Sequence, residues 1–388
     1  LVNQWLHKGN TDALFTYVMD LPTWSAGDLQ RFCRLMVQCA GNAKSRATAI
    51  KLLSMLRDRH YDTGDKRRAT VIRLVENTLE ELFDGAPLFG EPPGRYWRRV
   101  NWATRDRLAA PRADEEVLII DAEGFPPEGD DCDAVLLRKA YQAGWRRFIV
   151  YRLRGQRFHG SGLGPDTQKV RIDLYGSNGD YTASGMDGMQ IYIHGNAQDQ
   201  VAQIAKSGKL VIYGDVGQTF MYGAKGGEVF ILGNAAGRPL INAVGRPRVV
   251  INGTCLDFLA ESFMAGDPLV DGGFAILNGI EFDGSGRLVP QAAPYPGSNL
   301  FSLASGGAIY IRDPHEQVVE RQLNGGVFSK LSDKDWRLIR PYLMENERLF
   351  GIRLQDLLTV DGQVRTPQEV YRKVSAVKLS VLAGTDYE

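Results

Sequence analysis

Gly160-Ser-Gly-Leu-Gly164 has the spacing of a phosphate-cradling loop, in which consecutive backbone N–H groups surround an anion. A dinucleotide fingerprint also needs a strand before the loop, a helix after it and a later acid on a strand. Here an extended run, Val170 to Tyr175, follows instead, which disfavours nucleotide binding. Asp187, Asp199 and Asp215 fall at turn positions, where stacked carboxylates could hold calcium or a sugar. Asp130, Asp131 and Asp133 open a helical run and read as groups that complement a helix N-terminus. His159 and His194 stand alone, so packed or turn histidines are the simpler reading than a metal site or a base. Cys33, Cys39, Cys132 and Cys255 form no C-x-x-C pair and match no zinc or iron–sulfur spacing. They are expected to be reduced thiols. Arg95, Trp97, Arg98 and Arg99 make a basic aromatic patch, either packed into a linker or touching a partner.

Whatever positions these groups must be periodic. Seven extended segments end on a glycine: Gly155, Gly176, Gly195, Gly214, Gly233, Gly253 and Gly279. From Gly176 onward the steps are 19, 19, 19, 20 and 26 residues. A period in this range signals stacked units. The second and fourth residues before each glycine are apolar, as in Ile212/Leu210 and Ile231/Val229, so they share one face of a strand. Further glycines crowd the second half of each unit, where positive φ would let the chain turn. The expected fold is therefore mainly β: a right-handed parallel β-helix with strand, turn, strand, turn in each unit. The third position before the glycine should face outward. After Asp173 it reads Tyr192, Val211, Phe230, Val250 and Ile276, an apolar column that needs a cover. That cover is another part of this chain or another protein, and these five residues are the candidate partner contacts.

The run from Gly155 to Gly162, then GSNGDYTASGMDG, then HGNAQDQVAQIAKSGKLVIYGDVGQTFMYGAKGGEVFILGN, resembles the GXGXG domain. That domain closes the large subunit of glutamate synthase and also forms one of the subunits of formylmethanofuran dehydrogenase. The resemblance covers roughly residues 116 to 330. Ala202 and Phe220 stand where the family often has a second glycine, and Asp267 to Asp271 lengthen one unit. The resemblance implies a scaffold without catalytic residues or a cofactor of its own. Its partners would be redox proteins with flavin, iron–sulfur clusters or a molybdopterin-type cofactor.

Around the array, residues 1–85 read as an α-helical bundle or arm, with a capping box at Ser25-Ala-Gly-Asp28 and a stop at Gly85. Residues 86–115 read as a linker, 116–154 as strand–helix–strand, 147–330 as the β-helix and 331–388 as C-terminal capping helices. Ser332 and Thr366-Pro-Gln-Glu369 mark two starts in that last segment. The 46 basic and 46 acidic residues cancel, so no nucleic-acid surface is expected. No long apolar run suggests a membrane span, and no leader pattern is visible after Leu1, so a cytoplasmic location is expected. The leading expectation is a structural subunit of a cytoplasmic oxidoreductase complex. The alternatives are a stand-alone enzyme acting on a nucleotide or carbohydrate along the groove, and a homo-oligomeric binding module.

Overall fold

The computed structural model describes residues 1–377. Its centre is one sheet of twelve strands. Ten are parallel: β1 (Tyr96–Val100), β2 (Glu115–Asp121), β3 (Arg147–Arg154), β4 (Arg171–Ser177), β5 (Asp187–His194), β6 (Ser207–Ile212), β7 (Gly226–Ile231), β8 (Arg246–Ile251), β9 (Phe274–Leu277) and, after a hairpin of β10 (Ile280–Phe282) and β11 (Leu288–Pro290), β12 (Ala308–Arg312). β13 (Gly326–Ser329) and the last strand close the sheet antiparallel.

The expected right-handed parallel β-helix is not what the chain forms. The structure is α/β, a mostly parallel twelve-stranded sheet with helices on it. Each 19-residue unit gives the sheet one strand. The second strand expected in each unit is absent, and single bridges such as Ala197↔Val216 and Val216↔Ala235 stand in its place. The physical reason lies in the backbone. The return segment places alternate residues in the left-handed region, as at Thr219, Met221 and Gly223, so it bonds from unit to unit, as Met221 N–H does to the Val201 oxygen, without being an extended strand.

The inward ladders form as the alternation predicts. Ile172, Ile191, Leu210, Val229, Val249 and Ala275 pair in register, and all are buried in one core. Five N-terminal helices cover the other face of the first strands: α1 (Val2–Lys8), α2 (Thr11–Val18), α3 (Ala26–Gln38), α4 (Ala43–Asp58) and α5 (Arg68–Asp84). Ser25 and Asp28 make the predicted capping box, and the helix from Arg68 stops at Gly85. The expected linker contains the edge strand β1, where Arg99 pairs with Asp84 at 2.7 Å. α6 (Asp133–Ala143) links β2 to β3.

The outward column is covered by the chain itself. Tyr192 is 8% exposed, and Val211, Phe230, Val250 and Ile276 are each 0%. They pack with Ile339, Leu343 and Phe350 of α7 (Asp333–Phe350). Burying a side chain such as Phe230 contributes about 1.5–3 kcal/mol. So these five residues present no free docking face, contrary to their reading as partner contacts. A buried amide cluster also pins α7. Asn252 and Asn346 exchange hydrogen bonds of 2.8 and 2.9 Å, Asn278 donates to Asn252 at 3.0 Å, and Tyr371 Oη donates to Asn278 at 2.9 Å.

Beyond α7 the chain makes α8 (Leu354–Leu358), a small hairpin of β14 (Thr359–Val360) and β15 (Gln363–Val364), and α9 (Pro367–Val370). The start signal at Thr366 is real, but its helix lasts one turn. β16 (Tyr371–Ala376) follows and pairs between β12 and β13. The end of the predicted C-terminal helical segment, residues 378–388, lies outside the described residues.

Candidate functional site

The residue just before each unit's glycine also faces outward, and near the first units this column is aromatic. Tyr175, His194 and Tyr213 stack in order, with ring centroids 4.1 and 5.3 Å apart and planes within 8° and 7°. His194 is buried between two carboxylates. Its Nδ1 lies 2.7 Å from Asp58 of α4, and its Nε2 lies 3.4 Å from Asp173 of β4. Burial alone would push the imidazole pKa down. The negative charge of Asp58 and the bonds to both carboxylates overcome that and raise it above 6.5. Asp173 shows the converse balance. Burial would raise its carboxyl, but the Arg171 guanidinium, at 2.8 and 2.9 Å, and His194 hold it well below the usual range. Ser54 Oγ lies 2.7 Å from Tyr175 Oη, which adds a second tie from α4 to the sheet.

This cluster forms the floor of a cavity of about 430 Å³ between α4, the outer face of β3 to β6 and the end of α7. Its rim is cationic. Lys51 and Arg59 come from α4 and the residue after it, Arg147 and Arg171 from the sheet, and Arg348 from α7. Trp97 and Tyr192 add aromatic walls. Asp58 and His194 are 136 residues apart, so no local pattern marks them as neighbours. The aromatic column before the glycines was the readable signal.

The other predicted groups go elsewhere. His159 is buried and pairs with Asp133 at 2.9 Å. Asp199 accepts from the Gln218 N–H at 2.8 Å, Asp215 from the Asn234 N–H at 2.7 Å, and Asp187 from the Ser207 hydroxyl at 2.8 Å. The aspartates therefore tie each unit to the next. Among the described residues no group of three His, Cys, Asp or Glu side chains is placed to hold a metal ion. The four cysteines are free thiols. Arg98 faces Glu115 at 3.9 Å, which places that part of the basic aromatic patch inside the fold. Among the described residues no helix is long and apolar enough to cross a membrane.

The glycines that end the units divide into two kinds. Gly155, Gly176, Gly195 and Gly279 have positive φ. Gly214, Gly233 and Gly253 do not. A Cβ there would collide with the side-chain oxygen of Asn196, Asp215 or Asn234 from the unit below. Each of those oxygens accepts the next backbone N–H, at 2.9, 2.7 and 2.9 Å.

The left-handed turns recur with the pattern of alternate residues: Phe158/Gly160/Gly162, Tyr181/Ala183/Gly185, Gln200/Ala202/Ile204, Thr219/Met221/Gly223, Arg238/Leu240/Asn242, Phe258/Ala260/Ser262 and Asn299/Phe301/Leu303. A family model described as the GXGXG motif matches residues 149–358, more than half of the chain. The chain belongs to the GXGXG motif family. No curated protein matches it. In the GXGXG frame, first, third and fifth residues of each turn take the conformation that favours glycine, whatever their side chain. The second and third point into the core, as with Val201 and Ala202. In the turn from Thr219 the residue in the third, left-handed position is Met221, and Phe220 is its core-facing neighbour, so the departure from glycine falls one residue later than the sequence suggested.

Proposed function

We propose that the chain is a non-catalytic structural subunit of an oxidoreductase complex, of glutamate synthase-like or formylmethanofuran dehydrogenase-like type. It would hold partners that carry flavin, iron–sulfur clusters or a molybdenum or tungsten cofactor. Membership of the GXGXG family supports this, because the family is associated with glutamate synthase-like proteins. The carrying observation is a set of exposed apolar side chains on the turn side of four of the units. Ile204, Tyr222, Met264 and Leu303 are 47%, 40%, 50% and 78% exposed, while the outward face of the sheet is covered by the chain's own helices. Large apolar side chains grouped at the surface mark contact sites.

Native purification tests the proposal. The untagged chain should elute with companion proteins, and the pool should carry a flavin, iron–sulfur or molybdopterin-type spectrum. Ile204→Glu with Tyr222→Glu should release the companions while the melting temperature stays within about 1 °C of wild type, the scale of 1 kcal/mol in a chain this size. A colourless monomer from the native source would overturn the scaffold reading. Companions retained by the double variant would overturn the assignment of the turn side.

A further inference from the structure

The cavity over His194 has an unbalanced charge. Its two carboxylates, Asp58 and Asp173, are already engaged: Asp58 by His194 and Arg57, and Asp173 by Arg171 and His194. Arg348 is held by Glu345 at 2.5 Å. Lys51, Arg59 and Arg147 have no carboxylate within ion-pair distance among the described residues. Arg59 is turned instead to the carbonyl oxygens of Arg348 and Leu349, at 2.6 and 3.4 Å. Arg147 and Arg171 are direct partners on adjacent strands, and like charges in such pairs repel. An anion between them and the α4 cations removes that repulsion.

A second observation points the same way. Trp97 lines the cavity at 5% exposure and gives it an aromatic wall. Tyr192, Ile50 and Ile149 give the same space an apolar wall, which favours an organic ligand over a bare ion. The volume falls in the range of small-molecule sites.

We propose that this cavity binds a small organic dianion, recognised through carboxylate or phosphate groups by Lys51, Arg59 and Arg147. The site is distinct from the turn side of the array and does not depend on the scaffold proposal. Isothermal titration of the full chain at neutral pH and matched ionic strength tests it. The probes are malonate, succinate, inorganic phosphate and pyrophosphate, with chloride as the reference. Saturable binding of at least one probe, with a rise in melting temperature that chloride does not produce, is the expected result. A dicarboxylate preference marks a carboxylate ligand, and a phosphate preference marks a phosphorylated one. The Lys51→Gln/Arg147→Gln variant should bind at least about tenfold more weakly, the loss expected for charged hydrogen bonds. Arg147→Lys, which keeps the charge but not the guanidinium fork, should lose less affinity than Arg147→Gln. The proposal is overturned if no probe binds saturably to wild type. It is equally overturned if the double variant, melting as wild type does, binds as tightly.

Discussion

Gly214→Ala should destabilise the chain although Gly214 has an ordinary φ. The added methyl would overlap Asn196 Oδ1 and sit 2.8 Å from the Gly195 oxygen and 2.9 Å from its carbon. Overpacking of this kind costs about 1–3 kcal/mol. Asn196 would have to turn away, losing the 2.9 Å bond from the Asp215 N–H, worth about 1 kcal/mol. The expected sum is about 3 kcal/mol. Asn196→Ala alone loses only the hydrogen bond, so about 1 kcal/mol. The double variant should not reach the sum of about 4 kcal/mol, because the methyl then meets only the Gly195 backbone. A cost near 2.5 kcal/mol leaves a coupling of about 1.5 kcal/mol, typical of residues in contact. Urea unfolding followed by far-ultraviolet circular dichroism reads all four corners of the cycle. Additive costs, or Gly214→Ala within about 0.5 kcal/mol of wild type, would refute the view that close approach to the neighbouring unit selects glycine here.

Three further outcomes follow from the packing. His194→Phe keeps the ring stack but removes a buried cation, at about 3–5 kcal/mol. Because the folded imidazole's pKa is raised, its contribution is complete below the unfolded value of about 6.5 and fades as pH rises through the higher folded value. Asp173 stays ionised through that window, so the stability gap between wild type and His194→Phe should narrow from pH 6 to pH 9 in urea titrations; a widening gap contradicts the ion-pair assignment. Asn346→Ala leaves Asn252 without its reciprocal partner and should cost about 2–3 kcal/mol, with proteolysis reaching α7 first; uniform protection would count against the pinning role. Phe230→Asp should abolish cooperative unfolding rather than act on a partner, since Phe230 is fully buried under α7, and a near-native melt would contradict that cover.

Much of the fold was legible because local rules and the repeat agree. The Ser25/Asp28 capping box, the stop at Gly85 and the in-register apolar pairs each follow from a short window of sequence. The conformation of the return segment was not legible. Glycine marks permission for positive φ, but here Ile204, Met221 and Leu240 adopt it as well. Their own backbones are tied to the units above and below, through bonds such as Met221 N–H to Val201 oxygen at 2.8 Å. Tertiary context sets the backbone there and defeats residue preference. The same holds for Thr366-Pro-Gln-Glu369, a sound helix start whose continuation is drawn into the sheet by pairing with β12. The cavity was hidden for a different reason. Its floor and rim come from α4, β3 to β6 and α7, and no window of sequence contains all three.

The outward apolar column requires a cover, but its composition does not name one. Length narrows the choice. Five adjacent strands are separated by four spacings of about 4.8 Å, so the column from Tyr192 to Ile276 runs about 19 Å. A helix of 18 residues, such as the one capped by Ser332, runs about 27 Å at 1.5 Å per residue. Its Trp336, Ile339, Leu343 and Phe350 recur at helical spacing and supply one apolar stripe. A stripe of sufficient length, in the same chain and shortly after the array, competes with any external partner at a far higher effective concentration. Intramolecular cover is thus the outcome that physics favours for the column. Exposed apolar surface is left on the turn side, where Ile204, Tyr222, Met264 and Leu303 have no such stripe over them among the described residues.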